Sequence, residues 1–344
     1  MVKCSKEGEF MQNNIINKRD YLFDNLKALL IFLVVLGHCI GAYVYKSNLL
    51  KSLYFFIYLF HMPLFVFISG YYSKNIEKCK KNAVNNIAIP YIIFNTIWYI
   101  FISMMTKGIV FSFANPGWTL WYLLSLFCWR ISLKYLIKIK YIIPISIIGS
   151  ILVGCIDIYE FSISRTIALL PFFLLGYYCD KNTIDNIKKI KSRYCYLALI
   201  MIFLASFYIA HRFNIDVSFL HNSEAYSYFN LNICIGMLFR AILFITATIL
   251  SISIINIISS KKTRYSQIGK NSLTVYLLHI YPIKILLHEF IMPWELDALS
   301  IILILLSSAI ITTTLSNNIV QKLYNNTFGK LKIKDKKILI KIKG

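Results

Sequence analysis

Charged residues are what this sequence has least of. Asp, Glu, Lys and Arg fill 15% of its positions, where a soluble domain carries about 25%. Acidic side chains are scarcer still, 15 against 37 Lys and Arg. With 58% hydrophobic residues, this shortage excludes an ordinary soluble domain and points to a membrane protein. No soluble stretch is long enough for a second domain, so one integral membrane domain is expected. The eight cysteines show no C-x-x-C pair and no His/Cys ligand spacing. No metal site and no disulfide framework are expected, since most of them lie in or beside apolar runs, where a free cysteine acts as a small apolar residue. No A-x-A cleavage site follows the first apolar run, which is too long for a signal-peptide core, so it reads as a retained span. No internal repeat is visible in either orientation, which weighs against an inverted-repeat transporter.

What is abundant is apolar sequence punctuated by lysine. Ten apolar runs read as spans: 24–45, 52–73, 85–106, 118–137, 141–157, 164–180, 194–211, 232–257, 268–289 and 298–319. Each is near the ~20 residues that cross a bilayer as a helix. The predicted fold is therefore all-α, a polytopic bundle of about ten transmembrane helices. The net charge of +22 does not imply nucleic acid. Its lysines sit in short loops between apolar runs, and the richness in Ile, Lys, Asn, Phe and Tyr is what an AT-rich genome encodes. Of the 37 Lys and Arg, 29 fall in the two tails and the loops near 74–81, 130–140, 181–193 and 261–270. The opposite loops hold only Lys46, Lys51, Lys107, Arg165 and Arg212. By the positive-inside rule both termini face the cytoplasm. The chain divides into a cytoplasmic tail at 1–23, a membrane domain at 24–320 and a basic tail at 321–344. In the last, apolar residues alternate with lysine, so it either lies on anionic membrane lipid or is simply solvated.

Ionisable groups inside the spans are the chemical signal. The first span, DNLKALLIFLVVLGHCIG from Asp24, holds Lys27 and His38. Asp24 is three residues before Lys27, at ion-pairing distance on a helix. The eleven residues from Lys27 to His38 turn a helix by about 1,100°, three turns and roughly 20°, so both lie on one face about 16 Å apart. Lipid would penalise both, so that face is expected to look into a cavity. A neutral imidazole is a usable general base near pH 7. His61 and His279 are mid-span as well, each followed within three residues by a proline, Pro63 and Pro282, and Arg240 lies inside the eighth run. Ser69 sits one to two turns beyond His61 toward the cytoplasm. The plainer reading of any one histidine is a hydrogen bond to a backbone carbonyl. His211, Asp216, His221 and Glu224 fall in a predicted outer loop, and His288, Glu289, Glu295 and Asp297 at the last outer turn. These read first as solvated loop polarity, with an acceptor site as the sharper alternative. Trp118 and Trp121 read as an interfacial aromatic belt or as a platform for stacking a sugar.

Six of these motifs, in order, resemble the acyltransferase family 3 membrane proteins, and within them the O-acetyltransferases of bacterial surface polysaccharides, including fucose 4-O-acetylase-like members. The first span resembles the family's opening motif, a basic residue and a histidine separated by ten residues. FHMPLFVFISGYY from Phe60, IPYIIF from Ile89, LWYLLSLF from Leu120, SRTIALLPFFLLGYY from Ser164 and IGKNSLTVYLLH from Ile268 resemble later signatures. The family more often has arginine at the position of Lys27, and arginines where Asn85 and Asn86 stand here.

The resemblance implies an integral membrane O-acyltransferase of the bacterial cytoplasmic membrane. Acetyl-CoA is the expected donor, and the acceptor a hydroxyl of a cell-surface or lipid-linked sugar or polysaccharide. On this reading Asp24, Lys27, Lys78, Lys80 and Lys81 hold the donor, and the acyl arm extends along the first helix toward His38, the general base. Arg240, Ser69 and Tyr276 are candidates to stabilise the oxyanion, His279 assists catalysis, and His61, Trp118 and Trp121 face the acceptor. No esterase-like domain follows the membrane part, so transfer is expected to finish in the membrane core. The rival reading is a transporter or flippase for a glycolipid or small anion, which also needs buried cations.

Overall fold

Backbone amides in an apolar run have no partner in lipid but one another, so each run coils into a helix. The computed structural model describes residues 21–106, 111–112, 114–213, 215–285 and 296–328. The tails before 21 and after 328, with His288, Glu289 and Glu295, lie outside the described residues. The α-helices are α1 Tyr21–Gly41, α2 Asn48–Tyr71, α3 Ile76–Ala83, α4 Ile89–Met105, α5 Trp121–Leu136, α6 Ile142–Leu152, α7 Ile163–Tyr178, α8 Lys181–Lys189, α9 Ser192–Arg212, α10 Ile233–Ile257, α11 Ser266–Lys270, α12 Ser272–Leu278, α13 Ile280–Ile285, α14 Ala298–Leu315 and α15 Asn318–Phe328. Among the described residues there is no strand. The protein is an all-α polytopic membrane bundle.

Seven helical segments among the described residues are long and apolar enough to cross a membrane: α1, α2, Ile76–Met105, Glu160–Tyr178, α9, α10 and α14. The other three predicted spans take shorter forms. The run at 118–137 is α5, 16 residues or about 24 Å of helix. That at 141–157 is α6 plus a 3₁₀ turn at Val153–Cys155. The run at 268–289 is divided among α11, α12 and α13. Asn271 marks its first division, its side-chain amide donating to the Ser316 carbonyl at 2.7 Å. Arg130, counted with the 130–140 loop in the sequence, lies inside α5 and donates from Nε to Ser73 Oγ at 3.3 Å.

Close packing of backbones organises the lysine-rich end. A Cβ on Gly70 would lie 1.9 Å from the Phe173 carbonyl oxygen, and a Cβ on Gly176 would lie 1.9 Å from that of Phe67. Helices α2 and α7 therefore cross in near backbone contact through a reciprocal pair of glycines, the small-residue device of membrane packing. Gly269 does the same for α11 against α1, where a Cβ would meet the Asp24 carbonyl oxygen at 1.7 Å. Beside it the Asn25 amide donates to the Ser259 and Lys261 carbonyls at 2.7 and 2.9 Å, and its oxygen accepts from Thr263 and Ser266 at 2.8 and 2.7 Å. This fully satisfied amide ties α1 to the loop before α11.

Candidate active site

His38 stands three residues before the C-terminus of α1 and borders a cavity of about 470 Å³. The cavity is walled by α1 from Val34 to Gly41, α2 from Tyr54 to Pro63, the Trp118–Trp121 segment, Arg165 and Leu169 of α7, the 217–222 loop, Tyr276, Ile283 and Lys284. Ala42 to Tyr45 and the 217–222 loop form its rim, so it opens at the lysine-poor end of the bundle. Gly37 is needed here, because a Cβ would come within 2.9 Å of the Tyr58 ring.

Three histidines of the spans differ in how they are held. His61 Nδ1 donates to the Ile57 carbonyl at 2.8 Å, and His279 Nδ1 to the Tyr276 carbonyl at 2.8 Å and that of Val275 at 3.1 Å. Each is thereby fixed as the tautomer whose Nε2 is the bare acceptor. The Nε2 of His279 is buried without a partner. The His38 ring lies 5.3 Å from the His279 ring and 5.6 Å, edge-on, from Trp118. It forms no hydrogen bond with the described residues, which leaves both its nitrogens to whatever enters the cavity.

The Trp118–Trp121 shelf is set by the Asn115-Pro116-Gly117 turn. Gly117 donates its N–H to Asn95 Oδ1 at 2.7 Å and presses on Trp98 so closely that a Cβ would meet its ring at 2.2 Å. Lys284 Nζ lies over the Trp118 ring at 4.1 Å, and the Arg165 guanidinium over Trp121 at 5.1 Å. Tyr276 faces the cavity, but its hydroxyl donates to the Thr119 carbonyl.

Several cavity residues were missed in the sequence, among them Lys284, Arg165 and His221. Arg165 was counted among the outer loop charges, yet it belongs to the first turn of α7 and lines the cavity. His221 was read as solvated loop polarity, yet its Nε2 accepts from the Tyr54 hydroxyl at 2.6 Å and its ring lies 5.3 Å from Tyr58. Burial, and then the nearby Arg165 charge, push His221 down to about 4. Its loop is pinned by Asp216, which accepts from Tyr45 Oη and from Ser218 N, each at 2.9 Å. The signal available for Arg165 was its place at the start of an apolar run that also carries the Pro-Phe-Phe motif.

Other predicted site residues stand apart. Lys27 pairs with Asp24 at 3.0 Å and lies over the Tyr72 ring at 5.7 Å. It shares a helix face with His38 but does not line the cavity, whose α1 wall begins at Val34, about 10 Å further along the axis. Lys78, Lys80 and Lys81 ride on α3 at the lysine-rich end, outside the lining. Ser69 Oγ donates to the Phe65 carbonyl at 3.0 Å and meets Tyr122 Oη at 2.5 Å, below the cavity. Arg240 is 3% exposed and stacks on Tyr226 at 5.1 Å. It borders a separate void of about 30 Å³ that shares Tyr58, Pro63, Leu169, Leu220 and Asn222 with the main cavity.

Nodulation protein NolL of Sinorhizobium fredii (strain NBRC 101917 / NGR234) is 38% identical over 104 residues, 29% of this chain and 28% of that protein. Nodulation protein NolL of Mesorhizobium japonicum (strain LMG 29417 / CECT 9101 / MAFF 303099) is 33% identical over 100 residues, 28% of this chain and 27% of that protein. The similarity thus spans less than a third of the length of either relative. No solved structure matches. The profile of the acyltransferase-3 family, described as an acyltransferase domain, matches residues 20–316. Since that match runs from the start of α1 to the end of α14, taking in every wall of the cavity, the chain belongs to the acyltransferase-3 family.

Proposed function

We propose that this protein is an integral membrane O-acyltransferase that moves acetyl from acetyl-CoA to a hydroxyl of a cell-surface or lipid-linked sugar. The observation that carries this reading is the His38 imidazole, without a hydrogen bond to any described residue, in the wall of a cavity of about 470 Å³, large enough for a sugar ring. The lysine-rich end is the cytoplasmic one on this reading, and Lys27 with Lys78, Lys80 and Lys81 meets the donor there. The acceptor enters from the opposite end. A sugar hydroxyl is a poor nucleophile at neutral pH. His38 takes its proton as the oxygen attacks the thioester carbonyl. The tetrahedral intermediate then collapses, the carbon–sulfur bond breaks, and the leaving thiolate recovers the proton. His279, 5.3 Å away, offers a second basic nitrogen beside the first.

The test is incubation of the purified full-length protein with labelled acetyl-CoA and candidate glycans. Label is expected on the glycan with wild type, and loss of about 10²–10⁴-fold in rate is expected with His38→Ala, in protein that still inserts and elutes as one species. Normal transfer by His38→Ala would remove His38 from the mechanism. An intact thioester accompanied by movement of a glycolipid would mark a transporter instead.

A further inference from the structure

A pocket for a neutral sugar needs oxygen atoms that accept the sugar's hydroxyl protons, and carboxylates do this best. Among the described residues, the lining of the cavity at His38 has no Asp or Glu. The formally charged side chains among those lining residues are Arg165 and Lys284, which only donate. The Arg165 Nε is buried and has no hydrogen-bond partner among the described residues. The carboxylate that acts on Arg165 through space is Glu224, which is not part of the lining. The two cations sit over neighbouring rings, Lys284 over Trp118 and Arg165 over Trp121, and Trp118 also touches His38 edge-on. An apolar ring face, two cations beside it and the base at its edge form one continuous surface. A partly buried guanidinium with no carboxylate in hydrogen-bond contact among the described residues is costly to hold, and a ligand carrying negative charge relieves it. The cytoplasmic lysines lie at the other end of the bundle, so the donor's phosphates do not reach this pair.

We infer that the acceptor is an anionic glycan. Its carboxylate or phosphate is held by Arg165 and Lys284, its sugar face stacks on the Trp118–Trp121 shelf, and its reacting hydroxyl is presented to His38. The inference rests on the acyltransferase reading above and specifies the substrate class of the same site. The planar fork of Arg165 suits a two-point contact with either oxyanion.

The experiment uses full-length protein in lipid nanodiscs and matched probes: glucose, glucuronate and glucose 1-phosphate, with the corresponding galactose set. Binding is read from the shift in thermal midpoint and from titration, and turnover separately with labelled acetyl-CoA. The acidic member of at least one set is expected to bind while its neutral partner does not. Arg165→Gln and Lys284→Gln are each expected to weaken that binding about ten- to a hundredfold. Lys284 is on a different helix, so it carries the test if Arg165→Gln fails to fold. Preference for uronates identifies a carboxylate as the bound group, and preference for the 1-phosphates a phosphate. Equal binding of neutral members, no binding by any acidic one, or acidic binding that survives both substitutions overturns the inference. Acetyl transfer to neutral sugars alone would sink the anionic acceptor and leave the acyltransferase standing. Acidic binding with no thioester consumed would do the reverse.

Discussion

An ionisable side chain persists in an apolar helix only where something other than lipid receives it. That rule made His38, His61 and His279 visible from sequence, and all three ring the same region of the bundle. It could not separate the two histidines tied to their own helix carbonyls from the one left free, because the tie depends on rotamer. Arg165 and His221 escaped for a related reason. Arg165 lies at the edge of an apolar run and His221 within a loop between two runs, places where polar residues are expected and draw no notice. Lys27 was legible as an intramembrane cation partnered by Asp24, and the pair forms. Lys27→Ala is expected to raise the apparent KM for acetyl-CoA several-fold while leaving that for the acceptor nearly unchanged, and the reverse pattern in steady-state kinetics would detach Lys27 from the donor. His221 gives a pH signature. In the unfolded chain it titrates near 6.5, and in the fold near 4. Between these values the unfolded state holds a proton that the folded state lacks, so His221 lowers stability as pH falls from about 6.5 to about 4 and leaves it intact above. The difference in melting midpoint between wild type and His221→Gln should therefore vary across that window and be flat above pH 7. Parallel curves throughout would show that His221 is not buried as described.

At the scale of elements, apolar run length foretold most helices but not their interruptions. The predicted ninth span breaks at Asn271, whose side chain is drawn to the Ser316 carbonyl on a distant segment, a tertiary contact that no local pattern encodes. The crossing of α2 and α7 was equally hidden, since a glycine in an apolar helix has several explanations. It makes a sharp prediction. At Gly70 or Gly176 an added Cβ would sit on a backbone oxygen that cannot move aside. Alanine at either is expected to destabilise by about 3 kcal/mol or more, the upper range for overpacking, and leucine to abolish monodisperse protein. Gly149→Ala is the control, because its Cβ would meet only the Ile167 side chain, at 3.9 Å. Size-exclusion profiles and melting midpoints in detergent check this, and tolerance at Gly70 would mean the two helices stand further apart.

For the whole molecule, the sequence conveyed class better than it conveyed the form of each crossing. Seven described segments are long enough to cross, and the remaining predicted spans are pieces whose depth depends on the neighbours they pack against. Sidedness is open to direct measurement through the native cysteines. Cys155 and Cys234 are exposed at the lysine-poor end, and Cys79 lies on α3 at the lysine-rich end. In single-cysteine variants on intact cells, a membrane-impermeant maleimide should label Cys155 and Cys234 and spare Cys79 until the cells are opened. Labelling of Cys79 from outside would invert the orientation and send donor and acceptor to the opposite ends.

The glycine crossing also has a mechanical meaning. Helices α2 and α7 meet backbone to backbone at one end and supply facing walls of the cavity toward the other, Tyr54 to Pro63 on one and Arg165 with Leu169 on the other. The spacing of those walls is therefore tied to how closely the two backbones meet at the glycines. From Gly70 to Tyr54 is about 24 Å of helix, so a tilt of a few degrees at the crossing would shift the cavity wall by an ångström or more. A larger side chain at Gly70 or Gly176 is thus expected to alter the width of the cavity from a point about 24 Å away.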